Sequence, residues 1–352
     1  MKKWLPNLLL LAISVTLTLV VAELGLRAVL YNSNAAFDFI RKPQLYANYE
    51  RDVTEHLYKE DYWKMRFLFS GASDMKEPHP LLGWDGNFDS KTYEHADEYF
   101  SKGKRPVLLF GDSFSQCISS TKCFEDYLNA DTTFTNRFYL LNFGVGGYGL
   151  DQIHLLMEQA LKRFDNPIVI FGMLTTDLDR SMLSFRDAPK PHFKLRDGEL
   201  ELQGTPIELG ASEYIENHPI KPFSYVLSIL RNVTKWLLNS SVSEERQKSI
   251  TELNKAIIHH HVTELRNKEI EPLMLLFQPI HQSESEWRKV FLLGLFQDLN
   301  LEVINARSIL LTEMNRSGKA EEEFFIPNDL HPNSAYNKII AEEIKKAVQG
   351  ID

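Results

Sequence analysis

Short apolar runs alternate with helix-like segments from residue 105 to the end of the chain, and this alternation limits the fold more than any other feature. The runs PVLLF, FYLLNFG, PIVIFGML and PLMLLFQP have the length and apolarity of buried strands. Between two of them, LDQIHLLMEQALKRF has apolar positions at helical spacing. Strands that alternate with helices predict parallel βαβ units with right-handed crossovers, and hence an α/β domain with a mostly parallel sheet.

Composition adds limits of its own. The chain has 352 residues, of which 43% are apolar and 25% charged, so it can bury a full core as one main domain with insertions. Its net charge is −9, and no basic stripe accompanies it. Because nucleic-acid binders present such a stripe to phosphates, a nucleic-acid partner is not expected.

The first 30 residues have the pattern of a membrane anchor. Lys2 and Lys3 precede an uncharged, mostly apolar stretch from Leu5 to Ala22. A helix of that length spans about 27 Å, close to the hydrocarbon thickness of a bilayer. The stretch is long for a cleaved signal peptide and its cleavage site is poor, so an uncleaved anchor is favoured and a cleaved signal is the alternative. Positive charge stays cytoplasmic, which predicts a single-pass inner or plasma membrane protein whose remaining chain is extracytoplasmic, either periplasmic or extracellular.

The rest of the chain divides into three parts. Residues 31–104 form a polar, aromatic lead-in segment that is expected to pack on the domain, and residues 105–350 form the domain itself. An insertion at about 180–249 interrupts it. The insertion contains PHFKLRDGELELQGTPI, whose alternation on both sides of Asp-Gly predicts a β-hairpin, and YVLSILRNVTKWLL, which predicts a helix.

Two stretches place reactive side chains at ends of elements. Ser113 follows a buried strand in VLLFGDSFSQC, and Asp329 and His331 lie two apart in FIPNDLHPNSAYN, just before the last helix. A nucleophilic serine needs a base, and the base needs an acceptor that holds its tautomer. These three residues would supply all three functions, although an Asp-x-His pair taken alone also suits a surface turn.

The cysteines and a histidine run raise separate questions. Cys117 and Cys123 would lie outside the cytoplasm, where a close pair can oxidise, so a disulfide is favoured over two free thiols. Consecutive helix residues point about 100° apart, so His259, His260 and His261 cannot share one metal ion. No metal site is predicted.

Four blocks together resemble the SGNH (GDSL-type) hydrolase superfamily, in that family's order: GDSFS, NFGVGGYGLDQ, TTD and DLHPN. The resemblance covers residues 105–348 and implies a flavodoxin-like three-layer α/β/α sandwich. It implies that Ser113 is the nucleophile and that Asp329 and His331 complete the triad. The oxyanion hole would be formed by the N–H groups of Ser113 and Gly147, with Gly144 and Gly146 as alternatives in register.

The third block departs from the family pattern, because Thr176 stands where the family usually has an asparagine that donates to the oxyanion. Losing such a donor can cost roughly 10²- to 10³-fold in rate. Three states therefore remain open: a working enzyme with Thr176 as donor, a slower or specialised one, and an inactive relative. Asp177 is interpreted as structural, with a role in ordering the site as the alternative.

The resemblance further implies an extracytoplasmic serine esterase that acts on O-acyl groups, above all O-acetyl groups of a polysaccharide, without a cofactor. One alternative is an O-acetyltransferase that receives its acyl group from a multi-span membrane acyltransferase. Another is a catalytically silent glycan-binding or assembly subunit. Trp63, Trp84, Tyr148 and Phe193 could stack on a sugar, but core packing is the favoured interpretation of these aromatic residues.

Overall fold

The computed structural model describes residues 4–32, 35–47, 59–74, 78–84, 102–118, 120–220, 222, 224–238 and 244–351. Its α-helices are α1 Trp4–Leu30, α2 Glu60–Ser70, α3 Ser113–Gln116, α4 Phe124–Leu128, α5 Thr132–Thr135, α6 Leu150–Leu161, α7 Asp177–Arg180, α8 Ala211–Asn217, α9 Tyr225–Leu238, α10 Glu244–Arg266, α11 Trp287–Asp298, α12 Ala306–Ser317 and α13 Ser334–Gly350. Short 3₁₀ helices are Ala35–Phe37, Pro43–Leu45 and Glu321–Phe324. The strands are β1 Arg105–Gly111, β2 Phe138–Gly144, β3 Ile168–Leu174, β4 His192–Arg196, β5 Glu199–Gln203, β6 Leu273–Phe277 and β7 Glu302–Asn305.

Five strands form one parallel sheet in the order β2-β1-β3-β6-β7. This is the flavodoxin-like order, in which the chain moves to one side of β1 first and then to the other. All seven residues of β3 are buried, as expected for a central strand that helices cover on both faces. The predicted α/β fold with a mostly parallel sheet is confirmed.

The two faces of the sheet bury alternate residues of each strand. Leu109 and Ile170 belong to a core that includes Ile340 and Ile344 of α13. On the other face, the ring of Phe171 lies 3.9 Å from that of His261 in α10. Helices therefore cover both sides of the sheet, and the strand ends are left to carry polar groups.

The predicted hairpin is confirmed in the insertion. Strands β4 and β5 pair antiparallel in the register Arg196↔Glu199. The two turn residues between them, Asp197 and Gly198, both have positive φ, of 52° and 88°. This backbone is the one that Asp-Gly favours in a two-residue hairpin turn. Helix α9 coincides with the predicted segment YVLSILRNVTKWLL.

The chain forms two compact units that are discontinuous in sequence. The first comprises Met1–Glu77, Leu183–Pro189 and Leu209–Gln247, and the second comprises Pro78–Met182, Lys190–Glu208 and Lys248–Asp352. The first unit has its own core of aromatic residues, among them Trp63, Phe67 and Phe185. The sequence predicted the lead-in segment and the insertion as one part each. In the structure, each of them contributes residues to both units.

Helix α1 carries the one segment among the described residues that is long and apolar enough to cross a membrane. It runs from Pro6 to Leu30, with a mean hydropathy of 2.3. By length and composition it could be a membrane span or a signal anchor.

Candidate active site

Ser113 lies just beyond the carboxyl end of β1, the strand at which the order of the sheet reverses. Asp112 caps helix α3, and its carboxylate accepts a hydrogen bond from the Phe114 N–H at 2.9 Å. Ser113 is the first residue of the helix, so its own N–H has no acceptor within the helix. Open α/β sheets bind ligands outside the carboxyl ends of the strands at such a switch point, here between β1 and β3.

Glycines on adjacent strands let helix α3 lie close against the sheet. A Cβ atom on Gly111 or Gly172 would lie 2.1 or 2.3 Å from the Ser115 Oγ. A Cβ on Gly144 would lie 2.3 Å from the backbone nitrogen of Gln116. Side chains at these positions would push the helix, and Ser113 with it, away from the strand ends.

His331 meets Ser113 across the site. Its Nε2 lies 2.9 Å from the Ser113 Oγ, and its Nδ1 is hydrogen-bonded to the carboxylate of Asp329. The imidazole also packs on Phe114, with ring centroids 5.2 Å apart. The side chains of His331 and Asp329 are 27% and 45% exposed, so water reaches the pair.

The turn that carries this pair has an unusual backbone. Leu330 and Asn328 both have positive φ, of 67° and 63°. Asparagine tolerates this region, but in leucine it costs on the order of 1 kcal/mol. The Ile326 N–H donates to the His331 carbonyl at 2.8 Å and closes the turn. The strained residue therefore lies directly between Asp329 and His331, the pair that meets Ser113 through the imidazole.

The glycine-rich loop after β2 lies beside Ser113. A Cβ on Gly146 would be 3.8 Å from that of Ser113. The N–H of Gly146 donates to the Gln116 side chain at 2.8 Å, and that of Gly144 donates to the Asn142 side chain at 2.9 Å. Within the described part of the chain, the N–H of Gly147 donates to no protein group. Of the three glycines considered from the sequence, Gly147 is thus the one whose amide is uncommitted.

Trp84 braces this loop from the preceding segment. Its indole N–H donates to the Gly146 carbonyl at 3.1 Å, and the Tyr148 hydroxyl donates to the Trp84 carbonyl at 2.5 Å. From the sequence, Trp84 was considered for core packing or for stacking on a sugar, and this contact was missed. Trp63, Tyr148 and Phe193 are buried, as core packing predicts.

Thr176 lies beyond the end of β3, at the start of helix α7. The residue is buried, and its hydroxyl makes no hydrogen bond to the residues that the structure describes. The neighbouring Thr175 hydroxyl, by contrast, donates to Gln282 at 3.3 Å. The Thr176 hydroxyl is therefore available as a donor.

A buried arginine that sequence reasoning missed connects three parts of the site. Arg180 Nη1 donates to Asp112 at 2.9 Å, to Asp177 at 2.5 Å and to the Tyr148 carbonyl at 3.1 Å. Asp177 also accepts from the Leu174 N–H at 2.8 Å. Asp177 thus orders the end of β3 and, through Arg180, the cap of helix α3. The sequence TTDLDR could have indicated this contact, because Arg180 follows Asp177 and Asp179 within a segment that is otherwise apolar or uncharged.

A disulfide joins Cys117 and Cys123 directly after helix α3. Nearby, the Asn142 amide donates to the Ser115 carbonyl at 2.8 Å and to the Glu125 carboxylate at 2.9 Å. Burial raises the pKa of Glu125, and the hydrogen bond from Asn142 opposes that rise. The far end of the helix is therefore held by one covalent bond and by one side chain of β2.

The chain is similar to several solved structures at low identity. A scan against protein-family models and a search of curated proteins both find no match. An acetyl xylan esterase aligns at 16% identity and TM-score 0.40, covering 69% of this chain and 99% of that one. A GDSL-like lipase from Bacteroides thetaiotaomicron aligns at 10% identity and TM-score 0.38, covering 75% and 99%. A Bacillus subtilis protein aligns at 16% identity and TM-score 0.40, covering 70% of this chain and 57% of that one.

Proposed function

We propose that this protein is an SGNH-type serine esterase that hydrolyses O-acyl esters. The observation that carries the proposal is the contact of 2.9 Å between the Ser113 Oγ and the His331 Nε2, with Asp329 bonded to the other ring nitrogen. A serine, a base and an acceptor that fixes the base are the parts that acyl transfer to a hydroxyl requires.

The reaction would run in two halves. His331 takes the proton of Ser113 as the Oγ attacks the ester carbonyl, and then gives that proton to the departing alcohol. In the second half His331 takes a proton from water, the resulting hydroxide attacks the acyl-serine, and the proton returns to the Ser113 Oγ as the acid leaves. The carboxylate of Asp329 accepts the Nδ1–H of His331 and stabilises the imidazolium in both halves.

The oxyanion would be held by the N–H groups of Ser113 and Gly147 and by the Thr176 hydroxyl. All three donors are uncommitted within the described residues, which supports this assignment. A threonine hydroxyl donates one hydrogen bond but reaches less far than an asparagine amide.

Replacing Thr176 tests whether its hydroxyl takes part. Thr176→Val keeps the shape and removes the donor, so kcat for an aryl acetate is expected to fall by about 10²-fold with little change in KM. Thr176→Asn is expected to retain or exceed the original rate. The matched control is Thr175→Val, whose hydroxyl bonds elsewhere, and it is expected to change kcat little. A Thr176→Val enzyme as fast as the original would remove Thr176 from the mechanism.

Replacing Gly144 tests whether catalysis depends on the position of Ser113, since Gly144 itself supplies no side chain to the reaction. Gly144→Ala would bring a methyl group against the backbone of helix α3 and displace Ser113, which is expected to lower kcat by about 10²-fold. Gly294→Ala in helix α11 is the control, because its added methyl meets nothing within 4 Å. Equal rates in the two variants would show that the contact at Gly144 has no bearing on catalysis.

The substrate we propose is an O-acetylated extracytoplasmic glycan, with helix α1 as the membrane anchor. Two features support an anchored, extracytoplasmic site that a soluble polymer can reach: Lys2 and Lys3 precede an apolar helix, and the proposed triad is exposed to water. The test is acetate release from acetylated and deacetylated forms of the same polysaccharide by the full-length protein in detergent. Release from the acetylated form supports the proposal. Hydrolysis of aryl acetate without any release from polysaccharide would overturn the glycan assignment and leave the esterase, whereas acetyl groups appearing on an added glycan would indicate transfer.

A further inference from the structure

A group of metal-ligating side chains lies on the helices that cover one face of the sheet. His154 and Glu158 are on α6 and His260 is on α10, and each offers one ligand atom within 4.8 Å of the others. We propose that these three residues bind a transition-metal ion of the Zn²⁺ class. Such a site lies outside the proposed esterase chemistry and does not depend on it.

Helix geometry explains why these residues meet. Residues four apart on a helix lie one above the other, so His154 and Glu158 share one face of α6. His154 Nε2 and Glu158 Oε1 are 3.5 Å apart, and the His154 and His260 rings are 5.0 Å apart. Of the histidine run, His260 alone has a ring nitrogen within reach of the other two ligands, whereas His261 is buried against the sheet. The three consecutive histidines do not share an ion, and one of them completes a site built from α6.

A neighbouring imidazole orients the buried ligand. His154 is 1% exposed, and its Nδ1 lies 3.4 Å from the Nδ1 of His261. With the Nδ1 proton of His154 donated to His261, the Nε2 of His154 offers its lone pair to a metal.

The surroundings favour zinc over calcium or magnesium. Two imidazole nitrogens and one carboxylate oxygen form a donor set that catalytic zinc sites use, with a fourth position left for water. Hard cations prefer all-oxygen sites. Glu264 adds negative charge near Glu158, while Lys162 and Lys268 oppose it, so the imidazoles rather than net charge would provide the affinity.

Solvent reaches the Glu158 and His260 side chains of the proposed site. A cavity of about 360 Å³ lies along the side chains of Glu158, Lys162, Glu264 and Lys268. The side chain of Glu158 is 40% exposed, and His260 is exposed as well, so two of the three ligands face solvent. A bound ion would join α6 to α10.

The test is zinc binding by the full-length protein in detergent, with purification tags removed and the metal stripped by a chelator. Competition with a chromophoric chelator is expected to give one tight Zn²⁺ per chain. His260→Ala and Glu158→Gln alter accessible ligands and are expected to weaken binding by at least about 10-fold. His259→Ala, the adjacent exposed histidine, is the matched control and is expected to bind as the original does.

Two further measurements make the outcome decisive. X-ray absorption is expected to show nitrogen and oxygen ligands at about 2.0–2.1 Å. Zn²⁺ is expected to raise the melting temperature of the original protein and of His259→Ala, but not of His260→Ala. The proposal is overturned if His260→Ala binds Zn²⁺ as tightly as the original protein, or if His259→Ala loses as much affinity as His260→Ala. The second result would mean adventitious binding by the histidine run.

Discussion

Replacing Ser113 with alanine is expected to lower kcat for aryl acetate hydrolysis by about 10⁶-fold, since the nucleophile and its proton transfer are lost together. A serine-directed phosphonate is expected to label the original protein once per chain and the Ser113→Ala variant not at all. His331→Ala is expected to lose about as much, and the double variant no more than either single one, because the two residues act as a unit. Asp329→Asn is expected to cost about 10⁴-fold through the wrong tautomer of His331.

Ser308→Ala is the matched control for this series. Ser308 is an exposed serine in helix α12, and its removal is expected to leave both turnover and labelling unchanged. Each variant is compared at equal folded fraction, measured by circular dichroism. Hydrolysis that persists in Ser113→Ala would falsify the proposed mechanism. A folded protein that neither hydrolyses aryl acetate nor takes up the phosphonate would favour a binding subunit, with Thr176 as the leading explanation.

Replacing Arg180 with methionine is expected to lower the free energy of unfolding by about 3–5 kcal/mol. The Arg180 guanidinium bonds to Asp112 and Asp177, whose side chains are both fully buried. Without the cation, two buried carboxylates lose their positively charged partner, and removing one partner of a buried ion pair costs more than the pair itself contributes. Urea unfolding followed by tryptophan fluorescence measures the change.

The control for Arg180→Met is Arg196→Met in the hairpin. The Arg196 side chain is 69% exposed and pairs with Glu201, so its loss is expected to change stability by less than about 0.5 kcal/mol. A triple variant that also carries Asp112→Asn and Asp177→Asn is expected to recover part of the lost stability, because the buried charges leave with their partner. Similar midpoints for the Arg180 and Arg196 variants would contradict the role given to Arg180.

The regular parts of the fold could be predicted because each follows from a local pattern. Four apolar runs became β1, β2, β3 and β6, and the Asp-Gly pair became the hairpin turn. Of the three residues chosen for the triad, His331 is in hydrogen-bond contact with both Ser113 and Asp329, although their catalytic roles remain predictions. The strands and the turn could be predicted from a few neighbouring residues, because a buried strand or a tight turn has a recognisable local sequence pattern.

The parts that escaped prediction depend on distant pairings. Arg180 serves the site through contacts to Asp112 and to the Tyr148 carbonyl, and no periodicity reveals which carboxylate a lone arginine will meet. Trp84 braces the Gly146 loop from a segment in which no motif was recognised. The division into two discontinuous units was hidden for the same reason, because each unit collects segments that lie far apart in sequence.

The separation of Ser113 and His331 along the chain has a consequence for synthesis. The two residues are 218 positions apart, and His331 lies just ahead of α13, the last helix. At roughly 5–20 residues per second, a ribosome takes ten seconds or more between the two. During that interval the nascent chain carries Ser113 without His331, so a product that ends before His331 is expected to lack the proposed esterase activity.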